Sequence, residues 1–137
     1  MLQLESIENA YSFHSYNEHS AKLIKPQTNI HAHHSIEDEL LEISETTLIY
    51  KDLIESNGLP ASFKEFNEQC IAKLADYDAD IFLVGTGSQC LFPDKAVLQT
   101  IAKNKLAIDF MDTGEASRTF NILSSEYRKV AVLIFFN

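Results

Sequence analysis

Three short apolar runs, separated by two stretches with helical spacing, constrain the fold of this chain more than any other feature. Ile81-Phe82-Leu83-Val84 is a continuous run closed by Gly85-Thr86-Gly87, and residues 106–111 and 129–136 are of the same mostly apolar kind. Runs this short without alternation are those of strands buried on both faces. Between them, Pro93 and Asp94 open a helical pattern to about Lys103, with Val97, Leu98 and Ile101 expected as its inward face, and a second pattern runs from Gly114 to about Ser125. The resulting order β-α-β-α-β favours a parallel or mostly parallel sheet with crossover helices. Ahead of it, Ser62 is expected to cap a helix reaching about Ala75, with Phe63, Phe66, Cys70 (or Ile71) and Leu74 inward and Glu65 completing a capping box.

The first half is patterned more weakly. Residues 11–16 alternate, residues 21–25 are placed to pair with them, residues 29–35 are mostly polar, and Thr46-Thr47-Leu48-Ile49-Tyr50 is the clearest strand by its β-branched content. Residues 37–45 hold five acidic side chains among Leu40, Leu41 and Ile43, and read equally as an acidic helix turn or a solvated strand edge. No repeat, low-complexity tract or Pro/Gly/Ser linker divides the chain. The expected fold is therefore α/β: a three-layer single domain over residues 1–137 around a central mixed, mostly parallel sheet, with an N-terminal layer of short β-strands. In it, residues 1–60 form the mainly β portion and residues 61–137 the α-β-α-β-α-β portion.

Charge narrows the partners. Eleven Lys and Arg against 20 Asp and Glu give a net charge of −9, which repels phosphate backbones and anionic membrane surfaces, so nucleic acid is not an expected partner. The longest apolar run, residues 130–136, is seven residues, far below the roughly 20 needed to span a bilayer, so no membrane insertion is expected. Two cysteines, Cys70 and Cys90, do not make a disulfide framework and fit a reducing cytoplasm. Glu5 and Glu8 precede any apolar run, unlike a signal or transit peptide, so the mature chain is expected to start at Met1.

The richest polar segment joins the second apolar run to the helix after it. Asp112 stands as an N-cap with Glu115 three residues on, and Asp112, Thr113, Arg118 and Asn121 gather at the carboxyl end of a strand, where open α/β sheets bind ligands. Arg118 and Asn121 share a helical face. Arg118 has the fork geometry to hold a carboxylate of a ligand or partner, against a plain structural pairing with Asp112 or Glu126. Gly85-Thr86-Gly87 allows close backbone approach to a phosphate, but Cys90 holds the place of the third glycine of a dinucleotide fingerprint, so a tight turn is expected instead. His31, His33 and His34 near Glu37 and Asp38 invite a metal reading, yet no third ligand stands at a clear spacing, and a polar strand or loop is expected. His14 and His19 are expected at the surface. Cys90 has no base placed by the sequence and is expected as a semi-buried small hydrophobe rather than a nucleophile. No metal and no cofactor are expected.

Taken in order, Ile81-Phe82-Leu83-Val84-Gly85-Thr86-Gly87, Phe92-Pro93, Met111-Asp112-Thr113, Arg118-Thr119-Phe120-Asn121-Ile122-Leu123, Glu126 and Arg128-Lys129-Val130-Ala131 resemble one family. It is the domain of unknown function 498 family, whose animal members include mitochondrial complex I assembly factor 3 and the adipogenesis-associated domain protein. The resemblance covers about residues 80–135. It implies a three-layer α/β fold around a mixed sheet, no established catalytic activity, and assembly roles in some eukaryotic relatives. The chain departs from the family pattern at Glu115 and Ser117, where a small residue and often Ala or Cys are usual, and at Phe120, where Tyr is common.

With no complete catalytic set, the expected function is a non-enzymatic binding or assembly module whose partner is another protein. Its contact surface is expected on the rim of Gly85, Thr86, Gly87, Asp112, Thr113, Arg118 and Asn121. The alternative is a small-molecule site or an undiscovered enzyme in the same cleft, with Arg118 and loop N–H groups holding a small anionic ligand.

Overall fold

The computed structural model describes residues 9–26 and 40–137. Strands β1 (Ser12–Tyr16), β2 (Ala21–Ile24) and β3 (Leu40–Ile43) form a small antiparallel sheet in that order. The larger sheet holds β4 (Thr47–Tyr50), β5 (Leu53–Glu55), β6 (Ile81–Gly85), β7 (Ile108–Met111) and β8 (Val130–Ile134), in the order β5-β4-β8-β6-β7. The three apolar runs of the second half become the parallel trio β8-β6-β7, and β4 joins them antiparallel through β8. Helices α1 (Glu68–Ala75), α2 (Lys95–Lys103) and α3 (Thr113–Ser125) complete the architecture. It is the mixed α/β arrangement that the alternation of apolar runs and helical patterns predicts.

Side-chain alternation along β8 builds two cores from one strand. Ala131 and Leu133, followed by Phe135, enter a cluster with Phe63, Phe66, Ile71, Leu74, Val97 and Ile101, whereas Val130, Val132 and Ile134 enter another with Phe13, Leu23, Ile43, Ala116 and Phe120. The layers are thus α1 and α2, the five-stranded sheet, and α3 together with the small sheet. Every residue of β8 is buried, which explains its unbroken apolar sequence.

Several local expectations are corrected. Ser62 makes no side-chain cap; residues Phe63–Glu65 form a single 3-10 turn, Phe66 is extended, and Asn67 caps α1 by accepting from the Gln69 and Cys70 N–H groups at 3.0 and 3.3 Å. The break lets Phe63 and Phe66 stack at 5.5 Å and both pack on Phe110 and Phe135, a burial that a continuous helix from Ser62 gives up. Leu98 is exposed rather than inward, because Val97 and Ile101, four residues apart, already define the buried stripe of α2. The acidic stretch left open by the sequence supplies β3 from its last part, with Glu42 exposed and Ile43 buried. His14, expected at the surface, is the extra residue where the β1/β2 register shifts between Phe13 and Ser15, and its Nδ1 is shielded from solvent. His31, His33, His34, Glu37 and Asp38 lie outside the described residues.

One polar network ties β5 to α1. The Tyr77 hydroxyl donates to Glu55 Oε2 at 2.6 Å, Lys73 Nζ pairs with Glu55 Oε1 at 2.8 Å, and the same ammonium donates to the Asn57 carbonyl at 2.7 Å. Hydrogen bonds from Lys73 and Tyr77 hold the Glu55 carboxyl below its ordinary range. Burial, helped by the bond to Glu55, pushes the Tyr77 phenol up to about 12.

Candidate functional site

The carboxyl ends of β6, β7 and β8 meet the start of α3, and backbone packing there is tight. A Cβ on Gly85 would come within 3.0 Å of Thr113 Cα and 2.9 Å of Ile134 Cδ1, so the first residue of α3 rests against the strand itself. Thr86 follows, buried, with its N–H donating to the Met111 carbonyl at 2.9 Å. Its hydroxyl donates to the Gln89 carbonyl and accepts the Leu91 N–H at 3.0 Å, folding the loop back on itself. Gly87 sits at φ +105°, a conformation open to glycine and strained for any other residue.

Thr113 stitches three segments together. Its hydroxyl accepts the Gly87 N–H at 2.9 Å and donates to the Phe135 carbonyl at 2.8 Å, while its own N–H donates to the Gly87 carbonyl at 2.8 Å. Asp112 caps α3 as expected, taking the Glu115 N–H at 2.8 Å. Ser117, one of the departures from the family pattern, is fully buried and donates to the Thr113 carbonyl at 2.8 Å. The polar groups of Thr86, Asp112 and Thr113 are therefore engaged in holding backbone.

Arg118 and Asn121 do share a helical face, and that face meets β1. Asn121 grips the backbone of Phe13 with both ends of its amide, Oδ1 accepting the N–H and Nδ2 donating to the carbonyl, each at 2.8 Å. The Arg118 guanidinium donates to the Tyr16 hydroxyl and lies 5.9 Å from that ring's centroid. It does not pair with Asp112 or Glu126, the partners expected for a structural arginine. The reason is steric placement: Gly114 has no side chain, so the Tyr16 ring lies on the first turn of α3, where a Cβ would stand 2.7 Å from the hydroxyl, and Arg118 is the residue one turn on.

A cleft of about 230 Å³ remains between the Tyr16 to Glu18 turn, the Gly87-Ser88 loop and the start of α3. Among the described residues, its lining side chains include the carboxylates of Glu18 and Asp112 and no cation. The structure thus brings Gly87, Asp112 and Thr113 to one cleft, keeps Gly85 and Thr86 beneath it, and turns Arg118 and Asn121 towards β1. Among the described residues, no group of three or more His, Cys, Asp or Glu side chains is placed to hold a metal ion. No helix among them is long and apolar enough to cross a membrane.

Exposed apolar residues beside this region are not among the expectations drawn from the sequence, in which Phe92 enters only as part of the family pattern and Leu98 as an inward residue. Phe92 is 67% exposed, Leu91 41% and Leu98 43%. Phe92 meets Phe110 of β7 edge-on at 6.1 Å. Cys90, expected half-buried, is exposed, because its thiol hangs on the outer side of β7, 3.5 Å from the Phe110 carbonyl. The available signal was Leu91-Phe92 itself, two large apolar residues that belong to neither the strand period before them nor the helix period after them.

Comparison with known proteins returns the same architecture. A Bordetella parapertussis protein of known structure matches with a TM-score of 0.72 at 17% identity, over 93% of this chain and 97% of that one. A structure described as an outer membrane protein from Bartonella henselae matches with a TM-score of 0.66 at 19% identity, over 96% of this chain and 98% of the other. In sequence, the "13 kDa major membrane protein" of Francisella tularensis subsp. holarctica is 38% identical over 55 residues, 40% of this chain and 45% of that relative, so the match spans less than half of the relative's length. The profile described as "Protein of unknown function (DUF498/DUF598)" matches residues 13–135, and the chain belongs to that family, the one its second-half motifs resemble.

Proposed function

We propose that this protein is a non-enzymatic binding module that engages a partner protein through the loop following β6, with Leu91 and Phe92 as the contact and Gly85, Thr86, Gly87, Asp112 and Thr113 as its support. The observation that carries this reading is the division of labour around the loop. The polar side chains that a catalytic or anion site needs are bonded to backbone, while a leucine and a phenylalanine next to each other stand in solvent. Exposed apolar residues scattered singly need no explanation, whereas neighbouring ones mark interaction surfaces, and aromatic residues are enriched in interface cores. Thr86 acts at a distance here: its hydroxyl bridges Gln89 and Leu91 and so fixes the direction in which Phe92 leaves the loop.

The small-anion alternative has less support. Among the described residues, the charged side chains lining the cleft are acidic, and the α3 N-terminus that would attract an anion is already capped by Asp112.

The test places a photo-crosslinking residue at position 92 in the native host, with position 122 on the exposed face of α3 as control, and then reconstitutes any captured protein with purified material. A partner that crosslinks from 92 and not from 122, and binds at least about tenfold more weakly to Phe92→Ser, supports the reading. No capture from position 92 overturns it. So does Phe92-dependent sedimentation with phosphatidylcholine vesicles without a protein partner, the outcome in keeping with the membrane names of two relatives.

A further inference from the structure

The outer edge of the five-stranded sheet lies beside Leu91 and Phe92. β7 pairs on one side with β6, in a parallel ladder that uses the Ala107 and Met111 carbonyls. Alternation along a strand then turns the N–H and C=O groups of Ile108 and Phe110 outward. Among the described residues, only the Cys90 thiol reaches them, at the Phe110 carbonyl, and a thiol is a weak donor. On one face of β7, Ile108 and Phe110 lean on the α1/α2 core, where Phe92 and Leu98 are exposed; on the other, Asp109 stands in solvent.

We propose that β7 accepts a strand from a partner protein, whose apolar side chains cover Phe92 and Leu98 and whose lysine or arginine lies across from Asp109. This rests on the binding-module reading above and adds the mode of recognition and the chemistry of the partner. Strand addition supplies main-chain hydrogen bonds for affinity and alternate side-chain contacts for specificity. A native open edge is ordinarily blunted by charge, and Asp109 is such a charge, so the edge stays closed to strands that do not answer it.

Charge also selects the occupant. An antiparallel pairing of β7 with a second copy centred on Asp109 sets the two carboxylates directly opposite, and centred on Ile108 it sets them diagonally on one face. Like charges in these positions destabilise a pair. Each copy also brings a net charge of −9. A basic strand from a different protein removes both penalties.

The probe is a peptide of about seven alternating lysine and valine residues, acetylated and amidated, added at millimolar concentration to the full chain while backbone amide exchange is followed by NMR. At about ten times its dissociation constant, the peptide slows exchange of the amides it covers roughly tenfold, and the expected pair is Ile108 and Phe110. The same peptide with glutamate for lysine, or N-methylated along one edge, is expected to give no protection, and Asp109→Lys reverses the preference between the lysine and glutamate peptides. Absence of protection with the lysine peptide overturns the proposal, as does equal protection by the N-methylated peptide. Protection of the same amides that rises with protein concentration alone also overturns it, in favour of self-pairing. If strand addition fails here while crosslinking from position 92 still captures a partner, the binding-module reading stands without this mode.

Discussion

Asn121 and Phe13, 108 positions apart in the chain, are joined as two strands would be: the carboxamide of one presents an acceptor to the N–H and a donor to the C=O of the other. The contact sits on the edge strand of the small sheet, beside the point where β1 departs from its register with β2, so a side chain on α3 takes up main-chain groups on that edge. Removing it leaves two backbone groups of a buried residue without partners. Asn121→Ala is expected to lower unfolding free energy by about 2–4 kcal/mol, read as a fall in urea midpoint at unchanged slope. A loss below the scatter of surface substitutions would show that solvent satisfies Phe13 equally well.

Thr113 carries a similar weight at the other end of α3. Thr113→Val keeps the shape but strands the Gly87 N–H and the Phe135 carbonyl, and is expected to cost about 2–4 kcal/mol, whereas Thr113→Ser, which retains the hydroxyl, costs roughly half that or less. Denaturation of the two variants side by side separates the hydroxyl from the methyl group.

Stability should depend on pH at both ends of the scale through Tyr77 and Glu55. Burial and the bond to Glu55 raise the Tyr77 phenol from 10.0 to about 12 in the folded protein, so its contribution is complete below pH 10 and disappears as pH rises towards 12. Glu55 is shifted the other way, and its contribution is complete above its ordinary value of 4.5 and is lost as pH falls through the lowered one. The difference in urea midpoint between wild type and Tyr77→Phe should therefore shrink from about pH 9 to about pH 11.5. A constant difference across that range would remove Tyr77 from the account. Lys73→Met should in the same way flatten the acid side, with both side chains retaining some solvent contact and the effect correspondingly modest.

The start of α1 offers a sharper comparison. Asn67→Ala is expected to destabilise by about 1 kcal/mol, the usual worth of an N-cap, while Ser62→Ala, whose hydroxyl caps nothing, should stay within about 0.5 kcal/mol of wild type. Equal losses would mean that the 3-10 turn from Phe63 draws on Ser62 after all.

Binding and stability should come apart at the loop after β6. Phe92→Ser is expected to leave the unfolding free energy within about 0.5 kcal/mol of wild type, because the side chain is mostly in solvent, and to weaken partner binding at least about tenfold. Thr86→Val should weaken capture as well, despite being buried, since it removes the bridge between Gln89 and Leu91. Normal capture by Thr86→Val would show that the loop holds its shape without that hydroxyl.

What the sequence disclosed and what it withheld divide along contact distance. The strands β6, β7 and β8, the helix opening at Pro93 and Asp94, and the cap Asp112 were legible because apolar run length and a helix start are properties of a few adjacent residues. The Ser62 pattern satisfies the same local rule as Asn67, and the choice between them is made by Phe110 and Phe135, which lie far along the chain. Arg118 and Asn121 were rightly grouped on one helical face, but which way the face looked depended on β1, about a hundred residues earlier. The exposure of Leu91 and Phe92 had no periodic signature at all, because exposure is a property of what the rest of the fold fails to cover.

The order of strands in the larger sheet has a consequence for biosynthesis. β5 and β4 on one side, and β6 and β7 on the other, are linked within the sheet only through β8, the last of the five to leave the ribosome. Until residues 130–134 have cleared the exit tunnel, the nascent chain holds a hairpin and a parallel pair with no strand in common, each with an apolar flank open to other chains. Sheet closure for that reason waits on the synthesis of β8, and the interval before it is when these strands most need protection from aggregation.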